Sequence, residues 1–246
     1  MKRLLDVSIA ACALLLLAPL LAAVAMAVCL EDGGSPWYRG VRVGRMGREF
    51  RMLKFRSMRP GAALSGVNST AAGDTRITRV GRFLRALKAD ELPQLWNVVT
   101  GEMSLVGPRP QVPEDASLYT VEERRMLEVR PGLTDLASIV FSDEGEILAG
   151  SRDPDLLYNQ IIRPWKSRLA LLYLDRGSWW SNLRILLWTA GGLVSRRWAL
   201  ARVGKLLHQW GVGQPLSEIV RRAAPLPAFP PPGAGDVVAK YRVGTA

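Results

Sequence analysis

The N-terminal part of the chain is dominated by one long hydrophobic run. From Val7 to Leu30 there is no charged residue, and as an α-helix this run would be about 36 Å long, enough to cross the hydrocarbon core of a bilayer. Pro19 lies in the middle of the run, where it removes a helix hydrogen bond and predicts a bend. The pattern therefore predicts a membrane helix that is broken at Pro19.

Basic residues flank this run on both sides. Lys2 and Arg3 precede it, and four arginines follow it between residues 39 and 48. Because cytosolic flanks of membrane segments tend to carry positive charge, both ends fit the cytosolic side. The flanks permit a re-entrant segment as well as a helix that crosses the bilayer. A cleaved signal peptide is disfavoured by the length of the run and by Asp6 before it.

Beyond the run, the pattern predicts a chain of mixed α/β class that is mostly helical. Apolar and basic residues alternate over residues 49–58 (EFRMLKFRSM), which is typical of a strand and places a small sheet near residues 36–58. The small polar residues 60–75 predict a surface loop. Helical spacing returns over residues 78–87, and apolar helical patches rich in tryptophan and arginine cover residues 156–203. Such a mixture is typical of amphipathic helices at a membrane interface, although some of the tryptophans would serve a core.

Two adjacent acids, Asp90 and Glu91, open the next apolar segment, ADELPQLWNVVTG. Asp90 is suited to the N-cap of a helix that Gly101 ends, with Glu91 and Pro93 in its first turn. Two acids at a helix N-terminus often do no more than complement the helix dipole, which is worth about 0.3–1 kcal/mol. The segment alone leaves a structural and a chemical role open.

Composition favours an anionic partner. The 246 residues include 33 Lys and Arg against 22 Asp and Glu, a net charge of +11, which suits nucleic acid, phosphate-bearing small molecules or anionic lipids. No nucleic-acid-binding motif is present, so we expect no nucleic-acid partner. Arg109 lies between two prolines and Arg130 precedes one. Their restricted backbones suit bidentate binding of phosphate oxygens. Both cysteines lie in the apolar run, which predicts a reduced, cytosol-facing protein.

Three sequence blocks carry a resemblance to a known family. The blocks KFRSM (54–58), TRVGRFLRALKADELPQLWNVVTGEMSLVGPRP (78–110) and VRPGLT (129–134) resemble those of the bacterial sugar transferase family, the monotopic polyprenyl-phosphate hexose-1-phosphate transferases. The resemblance runs from residue 1 to about 195. It implies a re-entrant helix over residues 1–34, a small cytosolic catalytic domain over residues 35–203 and a C-terminal helix with a Pro-rich tail over residues 204–246. It also implies a location on the cytoplasmic face of the bacterial inner membrane.

The resemblance also implies an activity. Such an enzyme transfers a sugar 1-phosphate from a UDP-sugar to undecaprenyl phosphate, with release of UMP and a covalent phosphosugar-aspartyl intermediate. Asp90 would be the nucleophile, and Glu91 would help to hold Mg²⁺ together with Asp90, or would assist the incoming lipid phosphate. The side chains expected to bind substrate are Lys54, Arg56, Arg85, Arg109, Arg130 and Asn182.

Two departures from the family pattern bear on this expectation. Asp135 and Leu136 stand where many relatives have Gly and Trp, and Asn182 stands where an aspartate is common. A noncatalytic membrane-anchored scaffold for glycan assembly is therefore the alternative reading. The sequence leaves the transferred sugar and the oligomeric state open, and a homodimer is compatible with it.

Overall fold

The computed structural model of the protein describes residues 2–62, 70 and 73–241. Most of the predicted loop at residues 60–75, namely residues 63–69 and 71–72, lies outside this part of the chain. The chain divides into two compact units. The first contains residues 1–66, 73–117 and 127–133, and the second contains residues 67–72, 118–126 and 134–246.

The secondary structure is mostly helical with little sheet, as the sequence predicts. The helices are α1 (Lys2–Asp32), α2 (Arg79–Ala86), α3 (Gln94–Thr100), α4 (Pro113–Ser117), α5 (Leu136–Val140), α6 (Glu144–Ile147), α7 (Pro154–Ile161), α8 (Arg163–Arg176), α9 (Trp179–Val194), α10 (Arg196–Gln209) and α11 (Leu216–Arg221). The strands are β1 (Trp37–Val43), β2 (Glu49–Phe55), β3 (Ser104–Val106) and β4 (Gly132–Thr134). Among the described residues, short 3₁₀ turns cover Arg45–Gly47, Ala89–Glu91 and Glu123–Glu128.

Helix α1 is the long apolar element that the sequence predicts. It is 31 residues long and apolar enough to cross a membrane. Helical structure continues through Pro19 without an interruption, so re-entry remains a prediction. The central residues are exposed, with Leu15 at 77% and Leu16 at 80% of their maximum. Exposed apolar surface of this extent is typical of sites that contact a membrane or another protein.

The N-terminal end of α1 is bonded to the first unit. Lys2 Nζ donates to the carbonyl oxygen of Val106 at 2.8 Å, and Arg3 donates to two carbonyl oxygens near the C-terminal end of α3 at 2.6 and 3.0 Å. The carbonyl end of a helix carries partial negative charge, which favours this arginine. The buried carboxylate of Asp6 accepts a hydrogen bond from Ser104 Oγ at 2.6 Å. These bonds fix the start of α1 beside α3 and β3.

The C-terminal end of α1 is bonded to the same unit. Glu31 accepts hydrogen bonds from the backbone N–H groups of Arg79 and Val80, at 2.6 and 3.2 Å, and so places a carboxylate at the positive end of α2. Asp32 forms an ion pair with Arg56. Just before this end, Val28 packs in a buried cluster with Phe55 and Leu84. Both ends of α1 are thus held by short elements of one unit.

Two small sheets and two glycine contacts hold the three sequence blocks together. Strands β1 and β2 form an antiparallel hairpin, as predicted near residues 36–58, and β3 pairs with β4. A Cβ on Gly81 of α2 would lie 2.1 Å from the carbonyl oxygen of Ser57. A Cβ on Gly132 would lie 2.1 Å from the backbone nitrogen of Gly107. Only glycine permits either approach, because any side chain would collide with the opposite backbone.

The second unit is helical and has its own core. Trp165 and Leu169 of α8, Ile185 of α9 and Val203 and Leu207 of α10 are fully buried. Within this unit, Arg163 and Glu123 form a buried ion pair. Its remaining hydrogen-bonding groups are also satisfied, since Arg163 donates to the side chain of Asn159 and Ser167 Oγ donates to Glu123. Full satisfaction of this kind is what makes a buried pair tolerable.

The predicted Pro-rich tail is packed against this unit. Phe229 packs against Trp165 with the ring centroids 4.5 Å apart and the ring planes tilted by 38°, and Arg168 lies over the Phe229 ring at 4.7 Å. The Phe229 N–H donates to the carbonyl oxygen of Gln160 at 3.0 Å, and Thr120 Oγ1 donates to that of Pro232 at 2.6 Å. Proline cannot continue a helix, but its backbone carbonyl oxygen can still accept a hydrogen bond. The Pro232 carbonyl attaches the tail to Thr120 in this way.

Replacement of Phe229 by Ala should destabilise the second unit. The variant loses an aromatic pair and part of a buried apolar surface, together worth about 2 kcal/mol, which corresponds to a fall of roughly 4–8 °C in melting temperature for a protein of this size. Thermal unfolding followed by tryptophan fluorescence in lipid nanodiscs measures this. Pro225→Ala, at an exposed position of the same segment, is the matched control. An unchanged melting temperature in Phe229→Ala would contradict the packing role of the tail.

Candidate active site

The two adjacent acids lie on a short 3₁₀ turn between α2 and α3. Lys88 turns the chain with a left-handed backbone (φ 52°, ψ 20°), a conformation that costs a non-glycine residue about 1–3 kcal/mol. The prediction that Asp90 is the N-cap of α3 is wrong. Pro93 is the residue at that position and Gln94 the first of the helix, because the fixed φ of proline suits the entry to a helix. The acids are therefore held before the helix.

Glu91 is clamped between two cations. Lys54 Nζ, from β2, donates to Glu91 Oε1 at 2.8 Å. Arg109 donates from both terminal nitrogens to the two carboxylate oxygens, with Nη1 3.0 Å from Oε2 and an ion pair at Oε1. The bidentate fork is the arrangement that its confined Pro-Arg-Pro backbone predicts. The clamp joins a strand, a turn and a loop that are distant in sequence.

This clamp fixes the charge of Glu91. Burial alone would raise the pKa of the carboxyl group, but the charges of Arg109 and Lys54 and their hydrogen bonds outweigh it and hold the pKa of Glu91 well below its usual range. The pKa of Lys54 is lowered, first by burial and then by Arg109, against the opposing charges of Glu91 and Asp90. The 2.8 Å contact between Lys54 Nζ and Glu91 Oε1 is that of an ion pair.

Asp90 is in a different state from its neighbour. It is buried at 6% exposure, and within the part of the chain that the structure describes its carboxylate makes no hydrogen bond or ion pair. Burial raises the pKa of Asp90, the charge of Lys54 opposes this, and the charge of Glu91 reinforces it. A desolvated carboxylate near cations, without a bonded partner, is suited to nucleophilic attack on an electron-poor centre.

Of the other cations predicted to bind substrate, Arg85 lies near Asp90, whereas Arg56 and Arg130 make hydrogen bonds elsewhere. Arg85 of α2 acts electrostatically on Asp90. Arg56 instead bonds Asp32, with Nη2 2.5 Å from Oδ1, and donates to the carbonyl oxygen of Ser35. Arg130 Nε donates to the carbonyl oxygen of Gly101 at 2.8 Å. Arg56 thus bonds the C-terminal end of α1 and a nearby backbone carbonyl, and Arg130 bonds the carbonyl that follows α3. Their roles in substrate binding stay predictions.

The two family departures lie in the second unit. Asn182 Oδ1 accepts a hydrogen bond from the Tyr173 hydroxyl at 2.6 Å, which an aspartate at this position could also accept. Asp135 is the N-cap of α5 and accepts from the N–H of Ser138 at 2.6 Å. The Asp135 departure thus has a local structural reason. The substrate role of Asn182 stays a prediction.

Sequence reasoning missed three residues near the acids. Gln94 is fully buried, and its amide makes no hydrogen bond to the described residues, a condition that is uncommon away from functional sites. Arg42 of β1 and Asp115 of α4 interact electrostatically, and Arg42 also interacts with Arg109. The sequence held one signal for Arg42. Tyr38, Gly40 and Arg42 occupy every second position of a strand, so their side chains lie on the same face.

The two acids meet the requirements of a magnesium site only in part. Mg²⁺ is usually held by one or two carboxylates, with substrate phosphates and water as the other ligands. The described residues contain no group of three or more His, Cys, Asp or Glu side chains that could hold a metal alone. The Asp90 oxygens fit such a shared site. Glu91 fits less readily, because both of its oxygens already accept from Arg109.

Comparison with known proteins gives a consistent result. The profile of the family described as bacterial sugar transferase matches residues 1–196. The chain is similar to a UDP-glucose:undecaprenyl-phosphate glucose-1-phosphate transferase of Caulobacter vibrioides, at 38% identity over 79% of this chain and 70% of the relative. It is also similar to an undecaprenyl-phosphate glucose phosphotransferase of Komagataeibacter xylinus, at 38% identity over 76% of this chain and 35% of that protein.

A third relative has a different sugar in its name. It is a UDP-galactose-lipid carrier transferase of Erwinia amylovora, at 35% identity over 80% of this chain and 41% of that protein. The chain therefore spans less than half of the length of two of these three relatives. The profile match extends from α1 through the acidic turn to the start of α10, so it includes every element described in the first unit. The chain belongs to the bacterial sugar transferase family.

Proposed function

We propose that the protein is a phosphoglycosyl transferase that moves a sugar 1-phosphate from a UDP-sugar to undecaprenyl phosphate and releases UMP. The observation that carries the proposal is the pair of unlike acids, with Asp90 buried and unbonded among the described residues beside a Glu91 that two cations hold. The names of the relatives support the general reaction, since they include undecaprenyl-phosphate sugar phosphotransferases. The transferred sugar differs among those names and stays open here.

The first half-reaction uses Asp90 as nucleophile. One carboxylate oxygen attacks the β-phosphorus of the donor, the bond from that phosphorus to the bridging oxygen breaks, and UMP leaves with the electron pair. The sugar phosphate is then held on Asp90 as an acyl phosphate. In the second half, a phosphate oxygen of undecaprenyl phosphate attacks the same phosphorus and the Asp90 carboxylate leaves. No net proton is needed in either displacement.

The cations offset the repulsion between two anions. A carboxylate and a diphosphate repel each other, and positive charges near both lower the barrier to their approach. Lys54 and Arg109 are fixed by Glu91, so they are already in place when the donor arrives. Arg85 adds a third positive charge near Asp90. Glu91 is accordingly a positioning residue in this reaction, and its proposed second role is to assist the lipid phosphate.

We include Mg²⁺ in the proposal, with Asp90 as its first protein ligand and Glu91 as a second through a remaining lone pair. When bound, the ion would neutralise negative charge on the donor phosphates. Phosphates would supply further oxygen ligands.

The proposed location is the cytoplasmic face of the bacterial inner membrane. A helix that crossed the bilayer would place its ends on opposite sides, whereas both ends of α1 bond the first unit. That arrangement, together with the exposed leucines at its centre, supports a re-entrant helix that bends near Pro19. In the second unit, Trp179, Trp180 and Leu187 of α9 are exposed. This supports contact of α9 with the bilayer interface.

Asp90→Asn should abolish turnover. The amide is a poor nucleophile, so UMP release from a panel of UDP-sugars with undecaprenyl phosphate should fall by roughly 10³-fold or more. Wild-type protein with donor alone should gain the mass of a sugar phosphate, and Asp90→Asn should not. Asp175→Asn, at an exposed position in the second unit, is the matched control. Undiminished UMP release in Asp90→Asn would reject the nucleophile, and absence of release from wild type with every donor would favour a noncatalytic scaffold.

Glu91→Gln should change the pH dependence of the residual activity. The negative charge of Glu91 raises the pKa of Asp90, and its removal also frees Lys54 to favour the charged form. Both effects lower the pKa of Asp90, so activity should persist to lower pH before protonation of the nucleophile stops it. The measurement is kcat/KM for UMP release against pH, with exposed Glu128→Gln as control. An acid limb at the same or a higher pH would contradict this coupling.

Single cysteines near the two ends of α1 should be labelled from one side of the membrane. In a background with both native cysteines replaced by serine, Leu4→Cys and Ser35→Cys lie near either end of the helix at exposed positions. An impermeant maleimide should label both in inverted vesicles and neither in intact spheroplasts. Labelling of the two positions from opposite sides would show a crossing helix instead.

A further inference from the structure

A second group of side chains lies on the hairpin face that carries Lys54. Residues opposite each other in an antiparallel pair share a face, with Cβ atoms about 5 Å apart. Tyr38 is opposite Lys54 in the register of β1 and β2. Because side chains alternate along a strand, Gly40 and Arg42 are on this face as well. The face therefore begins with the lysine that binds Glu91 and continues to Arg42.

Gly40 makes room for its two neighbours. A Cβ at this position would lie 2.8 Å from Cε1 and 2.9 Å from the hydroxyl oxygen of Tyr38, and 3.1 Å from Nη1 of Arg42. The Tyr38 side chain thus extends along the strand over Gly40, and its hydroxyl lies beside the Arg42 guanidinium. The ring is still 41% exposed. An aromatic side chain held along a backbone and open to solvent can stack on a planar ligand.

Electrostatic interactions connect the acids to Arg42 through Arg109. Asp90 interacts with Lys54 and Arg109, whereas Arg42 interacts with Arg109 and with Asp115 of α4. Arg109 is thus the guanidinium shared by the acids and by Arg42. Burial lowers the pKa of Arg42 first, and the charge of Arg109 lowers it further, whereas Tyr38, which also hydrogen-bonds Arg42, and the charge of Asp115 raise it. The guanidinium of Arg42, partly exposed beside the Tyr38 hydroxyl over Gly40, can donate to a phosphate oxygen.

The direction of the displacement indicates which anion this is. In phosphoryl transfer the leaving oxygen lies roughly in line with the attacking one, on the far side of phosphorus. With Asp90 as the attacking group, the phosphate that leaves must lie on the side away from Asp90. Arg42 interacts electrostatically with Arg109 and shares a strand face with Tyr38. The nucleoside attached to the leaving phosphate would then reach the exposed ring of Tyr38.

We infer that Tyr38 and Arg42, spaced by Gly40, form the subsite for the nucleoside monophosphate leaving group. Tyr38 stacks on the base, and Arg42 binds the phosphate that departs. This subsite rests on the proposed transferase activity and adds to it a place for the part of the donor that is not transferred.

Direct binding of UMP tests the subsite without any chemistry. The protein is Asp90→Asn in lipid nanodiscs, and the probes are UMP, uridine and inorganic phosphate, each titrated by calorimetry. Tyr38→Ala should weaken UMP and uridine by roughly tenfold, in line with the loss of one base–aromatic stack. Arg42→Gln should weaken UMP by a similar factor and leave uridine nearly unchanged. Tyr38→Phe should retain the affinity for uridine.

Two further variants control for damage to the hairpin. Gly40→Ala keeps both side chains but displaces them, so it should weaken UMP as well. Arg39→Gln changes a basic residue on the opposite face of the same strand and should bind UMP like the parent. Hydrogen exchange of the unsubstituted protein, with and without UMP, gives a measurement that does not depend on any variant. Residues 38–42 should be protected by UMP.

The outcomes separate this subsite from the transferase proposal. UMP affinity within twofold of the parent in both Tyr38→Ala and Arg42→Gln, or no protection of residues 38–42, would overturn the subsite while UMP release by the wild type would still support the transferase. Absence of UMP release by the wild type would overturn the transferase even if UMP bound. If Tyr38→Ala lowered the affinity for inorganic phosphate but left the affinity for uridine unchanged, the stacking role of Tyr38 would also be overturned.

Discussion

The clamp of Lys54 and Arg109 on Glu91 is the interaction on which the rest of the site depends. It ties a strand, a 3₁₀ turn and a Pro-confined loop into one cluster of charge. The clamp holds the pKa of Glu91 well below its usual range, whereas burial and the charge of Glu91 raise the pKa of Asp90. The neighbouring acids thereby differ in what they can do. One holds the cations in place, and the other stays unbonded among the described residues and ready to react.

Backbone contacts explain why three separate sequence blocks form one site. Gly81 places α2 against Ser57, two residues beyond the strand that carries Lys54, and Gly107 and Gly132 bring the loops of Arg109 and Arg130 together. Each contact is too close for any side chain. The blocks are therefore held together by close backbone contacts at glycines as much as by the charged groups that they carry. This is a requirement of shape that charge and hydropathy patterns do not show.

The sequence predicted elements whose causes are local and failed where tertiary contacts decide. The α2 helix with Thr78 as its N-cap, the hairpin and the long apolar helix all follow from nearby residues. The cap position of Asp90 was wrong because Pro93 starts the helix later. The partner of Arg56 could not be foreseen, since Asp32 is 24 residues away in sequence. The same holds for the Gln94 amide, which has no hydrogen-bond partner among the described residues, and for the place of Tyr38 over Gly40. Both depend on what packs around them.

The two ends of α1 hold the outer ends of the helices on either side of the acids. Arg3 bonds the last carbonyls of α3, and Glu31 bonds the first amides of α2, while the acidic turn joins α2 to α3. Any change in the curvature of α1 must therefore pull on both short helices and reach the turn between them. In the proposed placement of α1 in the bilayer, the thickness and lateral tension of the lipid would therefore act on the turn that carries both acids, although that turn lies outside the long helix.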